Sequence, residues 1–152
     1  MDSTIPRLDA REQRAWRGLH RAHDCLSKAL DTRLDAAHGL PLTSYEVLLH
    51  LSEAEEGRMR MHDLASSVML SRSGLTRLAD RLEREGYLER CSCAHDARGA
   101  FAVLTPAGRE KLEAARETYL VTVRELFVRH FSPEELDRLN EAWNRILGGV
   151  CR

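Results

Sequence analysis

The chain has no apolar run of 18 residues, so it predicts no membrane-spanning helix. Its first residues, MDSTIPRLDAREQRAW, lack the apolar core of a secretion signal, and the expected location is the cytoplasm. Cysteine is scarce and scattered. Cys25, Cys91, Cys93 and Cys151 make no disulfide framework, and in the cytosol they are expected to stay reduced. Lysine is nearly missing: of 23 basic residues only Lys28 and Lys111 are lysines. Arginine offers a planar fork suited to phosphate and guanine, although a GC-rich coding sequence would produce the same bias. The net charge of −1 rules out a general polycation, so any nucleic-acid surface must come from local clustering. Catalytic signatures are also missing. There is no P-loop, no zinc-protease helix motif, no nucleophile elbow and no dinucleotide fingerprint. The reading is therefore of a protein that is not an enzyme and takes no cofactor.

What is present is helical periodicity. From Arg7 to Ala37, Trp16, Leu19, His23, Leu26, Leu30, Leu34 and Ala37 recur at steps of three and four. Gly39 and Pro41 end that helix. The stretch LTSYEVLLHLSE starts a second, with Thr43 expected as its cap and Glu46 as the return half of a capping box. Arg58–Arg60 has the makings of a short strand. MHDLASSVML is a short helix with Leu64, Ala65 and Val68 inward, and Ser71 caps the next, which runs to about Glu85 and is ended by Gly86. The runs YLERCSC and AFAVLTP predict a hairpin around AHDARG. Thr105-Pro106 opens a long helix, and Ser132, Pro133 and Glu135 open the last, whose Leu136, Leu139, Trp143 and Ile146 face inward. The fold class is mainly α with a small β-hairpin wing: a winged helix–turn–helix flanked by terminal helices.

The stretch SRSGLTRLADRLEREGYLER carries the functional argument. At about 100° per residue from Arg72, the residues Leu75, Leu78, Ala79 and Leu82 fall between about 240° and 340°. Arg72, Ser73, Thr76, Arg77, Asp80, Arg81 and Arg84 fall between about 0° and 180°. One face fastens the helix, and the other projects its arginines together. The plainer reading is a solvated face laced with i,i+4 ion pairs. A short helix and tight turn ahead of it favour a helix that enters the DNA major groove. Ser71, Ser73 and Gly74 are small enough to let the backbone approach; Thr76 and Arg77 can reach base edges. On the hairpin tip, Arg98 can enter the minor groove, with Asp96 bracing its guanidinium.

These segments resemble the MarR family of bacterial transcription regulators. Ser73, Thr76-Arg77, Asp80, Leu82-Glu83 and Gly86 occur in order, followed by the Asp96-x-Arg98 wing and the Leu104-Thr105-x-x-Gly108 helix start. The resemblance covers essentially the whole chain, 1–152, as one unit. It implies dimerisation helices at 7–37 and 105–148 around a winged helix–turn–helix lobe at 43–104. It also implies a homodimer on a pseudo-palindromic double-stranded DNA operator, often released by a small-molecule effector. The resemblance makes Ser73, Thr76 and Arg77 recognition-helix contacts and Arg98 the wing arginine; with the polar face and wing tip read above, the expected DNA-contacting set is Ser71, Arg72, Ser73, Thr76, Arg77, Arg81, Asp96 and Arg98. Trp16, His20, His23 and Tyr45 are candidates for an effector pocket, although satisfied core histidines are the plainer reading of His20 and His23. The apolar stripes of the end helices supply a separate reason for a dimer, since a small central lobe cannot cover them.

Two alternatives remain at this level. A winged helix can serve as a protein-interaction module without DNA. Cys91, Cys93 and His95, at i, i+2, i+4, could make a thiol- or metal-responsive variant, although the spacing is not a usual zinc pattern and small residues on a wing strand are the plainer reading. Cys25 is expected to be buried beside the first apolar stripe.

Overall fold

A computed structural model describes residues 7–92 and 99–150. Helix α1 spans Ala10–His38. It begins three residues later than the periodicity predicts, because Asp9 is its cap. The Asp9 carboxylate accepts from the amides of Arg11 (2.6 Å) and Glu12 (2.8 Å), and Glu12 accepts in return from the Asp9 amide (2.7 Å). Gly39, at φ 59°, ends the helix in the left-handed conformation that glycine adopts without a Cβ clash.

Helix α2 (Leu42–Glu53) departs from the expected start. Thr43 does not cap it, and the Thr43/Glu46 box does not form. The helix starts at Leu42, whose amide donates to the Asp31 carboxylate of α1 at 2.9 Å. A side chain eleven residues upstream has taken the capping role. Strand β1 (Arg58–Arg60), α3 (Met61–Ser67) and α4 (Arg72–Arg84) follow. Ser71 caps α4, accepting from the Gly74 amide at 3.0 Å. Strands β2 (Leu88–Cys91) and β3 (Phe101–Leu104) lead to α5 (Pro106–Leu126), capped by Thr105 as expected (Gly108 amide to the Thr105 hydroxyl, 3.0 Å). The phenylalanine at 127 leaves helical geometry (φ −126°, ψ −69°), so α5 stops at Leu126. Helix α6 (Pro133–Val150) starts with the predicted Ser132/Glu135 box.

The wing is a three-stranded antiparallel sheet in the order β1-β3-β2. The expected hairpin is its β3–β2 half, with Leu88 opposite Leu104. Arg58–Arg60 adds the third strand, with Arg58 opposite Val103. The core lies where α2, α3, α4, α5 and the sheet meet. Leu48, Leu51, Leu64, Leu75, Leu82, Leu88, Ala102 and Leu112 are all buried there. Each fully buried leucine contributes about 1.5–3 kcal/mol.

The end helices behave differently. Only Leu34 of α1 is buried, and nothing in α6 is. Residues 10–25 of α1 are exposed throughout, with Trp16 57% exposed and Leu19 open to solvent. Cys25 falls on this free stretch and is exposed, not buried as expected. Of the α6 stripe, Leu136, Leu139 and Trp143 are half-buried, while Ile146 and Leu147 stand out. No helix among the described residues is long and apolar enough to cross a membrane.

Candidate nucleic-acid interface

Helix α4 is divided as its spacing requires. Leu75, Ala79 and Leu82 are buried, and Arg72, Ser73, Thr76 and Arg77 are exposed on the opposite side. Ser71 and Ser73 share a hydroxyl contact at 3.2 Å at the entering end. The Thr76 hydroxyl donates to the Arg72 carbonyl at 2.8 Å, which leaves its lone pairs facing outward as acceptors. Gly74 packs closely on the cap, and a Cβ there would sit 3.1 Å from the Ser71 hydroxyl oxygen, which would have to shift slightly. The helix therefore presents two hydroxyls, two guanidiniums and a slim backbone at one end.

Arg81 is the exception. Its guanidinium turns back to the buried Ser44 hydroxyl of α2 and stands 4.0 Å from Glu85. It ties α4 to the domain and does not project with Arg72 and Arg77. Its place on the helix, at the edge of the polar arc, lets a long side chain fold to either side. Replacing Arg81 with Ala should cost about 1–2 kcal/mol, because the buried Ser44 hydroxyl loses its partner. The salt dependence of DNA binding should not change. Urea unfolding and a salt titration of binding check the two halves of that statement.

Arg90 was not anticipated. From β2 its guanidinium reaches Asp80 at 2.7 Å and Glu83 at 2.6 Å, and its amide donates to Glu83 at 3.1 Å. The arginine holds the Glu83 carboxyl below the usual carboxylate range. It pins α4 to the wing and answers two acids that would otherwise repel phosphate. The available signal was charge alone: an arginine seven residues after Glu83, on the strand that must return beside the helix.

A second basic cluster lies at the base of the wing. Arg60, His62 and Arg72 line a cleft of about 550 Å³ together with Met61, Leu75, Gly99 and Ala100. The Arg60 guanidinium stacks over Phe101, 4.9 Å from its centroid, and Arg58 lies 5.5 Å from the same ring. Neither Arg60 nor His62 was singled out from the sequence, because only the pairing of β1 with β3 brings them beside α4. Asp96 and Arg98 of the expected wing tip lie outside the described residues, as do Cys93 and His95. Cys91 is exposed, and among the described residues no three His, Cys, Asp or Glu side chains are grouped to hold a metal.

The expected effector residues are not brought together within the chain. Tyr45 is buried and stacks on Tyr119 of α5, with centroids 4.6 Å apart. Trp16 meets the His20 ring edge-on at 4.4 Å and shares a hollow with Arg7, Leu8, Gln13 and Arg17. His23 is exposed beside Asp24 at 3.4 Å, so neither His20 nor His23 is a core histidine. Trp16, His20 and His23 all lie on the exposed stretch of α1, whereas Tyr45 is buried in α2 against α5. The hollow of about 620 Å³ between α1 and α5 uses other residues, among them Arg33, Ala37, Thr118 and Val121. Glu46, half-buried near His50 and His23, has its carboxyl pushed up by burial, an effect the two histidines oppose.

A buried-and-exposed helix after a tight turn, with a basic sheet beside it, defines a winged helix–turn–helix protein. The sequence pattern of the MarR family matches residues 38–99. AbsC, a MarR family transcriptional regulator from Streptomyces coelicolor, is 36% identical over 96% of this chain and 98% of its own, with a TM-score of 0.88. A second MarR family transcriptional regulator from that organism, whose crystal structure is a complex with DNA, is 32% identical over 98% of this chain and 93% of its own, with a TM-score of 0.90. The transcriptional repressor MprA of Escherichia coli is 27% identical over 79% of this chain and 60% of its own. The chain spans between half and two thirds of the length of the curated relatives it matches. The chain belongs to the MarR family of transcriptional regulators.

Proposed function

We propose that the chain is a sequence-specific DNA-binding repressor that acts as a homodimer in the cytoplasm and leaves its operator when a small effector binds. The observation that carries this reading is the face of α4: Arg72, Ser73, Thr76 and Arg77 are exposed together on a helix whose other side is held in the core. The relative solved with DNA supports the same use of the fold. Ser71, Arg72 and Ser73 serve the phosphates, Thr76 and Arg77 the base edges, and Asp96-Arg98 the minor groove. Arg81 has the different, bracing role described above. A gel shift at rising salt tests the reading: affinity should fall steeply as counterions are released. Binding absent at low salt would leave the wing as a protein-interaction module.

The exposed apolar stripes of α1 and α6 support a dimer, with 7–37 and 105–148 as the dimerising helices and 43–104 as the DNA-binding lobe. Light scattering at micromolar concentration should give twice the chain mass of 17.3 kDa. A 17.3 kDa species would overturn the dimer. Two recognition helices related by a two-fold axis then require half-sites about 10 bp apart, which a footprint would read directly. The hollow between α1 and α5 is of a size that takes small ligands.

A further inference from the structure

Met69 carries two separate costs at one position. It lies in the turn between α3 and α4 with φ 54°, in the left-handed region that an L side chain enters at a penalty. It is also 90% exposed, the most exposed large apolar residue among those described. Its neighbours do the packing: Val68 and Leu70 lie against the core, and Met69 does not. The turn itself is well made. The Leu70 amide donates to the Ala65 carbonyl at 2.9 Å and the Met69 amide to the Ser66 carbonyl at 3.3 Å. This is the helix-ending position where glycine relieves the strain. A glycine there would also remove the exposed apolar surface. Among the described residues nothing covers the Met69 side chain.

We propose that Met69 is a DNA-contacting residue whose thioether side chain packs on the deoxyribose edge of the backbone beside the groove that α4 enters. This builds on the DNA-binding reading of α4 given above. The placement follows from the chain: Met69 is two residues before the cap Ser71 and three before Arg72, at the entering end of the helix. A side chain held outward there meets the strand that the serines and Arg72 grip. Methionine suits the contact, because its flexible, polarisable chain fits an irregular apolar surface. A sugar offers apolar CH groups whatever the base, so this contact adds affinity without reading sequence.

The test compares Met69→Gly with wild type in the full-length protein. Thermal unfolding should show the variant at least as stable, since the strained turn is relaxed, so weaker binding could not be ascribed to misfolding. Affinity should fall by about fivefold to tenfold on operator and on scrambled duplex alike, as expected for losing a modest apolar contact. The slope of log affinity against log salt should not change, because no counterion contact is removed. Arg72→Ala, measured alongside, should shallow that slope by about one unit. Unchanged affinity in Met69→Gly would overturn the proposal. A loss confined to the operator would overturn the assignment to sugar, and a changed slope would show that the arginines had moved instead. A wild-type protein that binds no duplex would remove the DNA-binding reading itself, an outcome distinct from a wild type that binds and a variant that matches it.

Discussion

Gly108→Ala should destabilise the protein by about 3 kcal/mol, at the upper end of what overpacking does. Gly108 lies in the first turn of α5, and a Cβ there would come within 2.0 Å of the Tyr87 carbonyl oxygen and 2.8 Å of a Leu104 methyl. The obstacle is backbone, so no side-chain rotation relieves it. That backbone is also tied to the helix start. The Thr105 amide donates to the Tyr87 carbonyl at 3.2 Å, and the Thr105 hydroxyl to the Gly86 carbonyl at 2.6 Å. Moving α5 away would break both bonds and open the core at Leu112. Gly18→Ala is the control. Gly18 also lies inside a helix, but a Cβ there meets nothing within 4 Å. It should gain about 0.5–1 kcal/mol from helix propensity. Urea unfolding of both variants checks the pair, and a Gly108→Ala protein as stable as wild type would mean that α5 does not press on the wing.

Arg77→Ala should cost on the order of 1–3 kcal/mol on the operator and much less on random duplex. Arg77 is exposed mid-face beside Thr76, and no hydrogen bond or ion pair within the described chain holds its guanidinium. It is free to fork onto a guanine edge. Arg98→Ala, at the wing, should weaken both kinds of duplex more evenly and shallow the salt slope by about one unit, since the minor groove offers a degenerate pattern. Arg81→Ala completes the comparison: it removes the same charge from the same helix, but from a side chain already engaged by Ser44. Competition binding on operator and scrambled duplex separates the three. Equal loss of discrimination in Arg77→Ala and Arg98→Ala would show that base reading is not assigned to the helix.

The elements themselves were legible because their causes are local. The 3.6-residue spacing of Leu75, Ala79 and Leu82 sets which face of α4 is buried, and Ser71, Thr105 and Ser132 cap the amides a few positions on. No other part of the chain is needed for these. Where a distant group could compete, local reading failed. Asp31 displaced Thr43 as the cap of α2, and Trp16 and Cys25 were left exposed because no other described element covers that stretch of α1. Long arginines show the division most sharply. Spacing alone put Arg72, Arg77 and Arg81 on one polar arc, but a guanidinium on a flexible stem goes to whichever partner is in reach. Only the tertiary structure decided that Arg81 is held by Ser44, that Arg90 covers Asp80 and Glu83, and that Arg77 is left facing outward. Backbone geometry follows from hydrogen bonds a few residues apart, whereas the reach of a charged side chain depends on which elements the fold brings beside it.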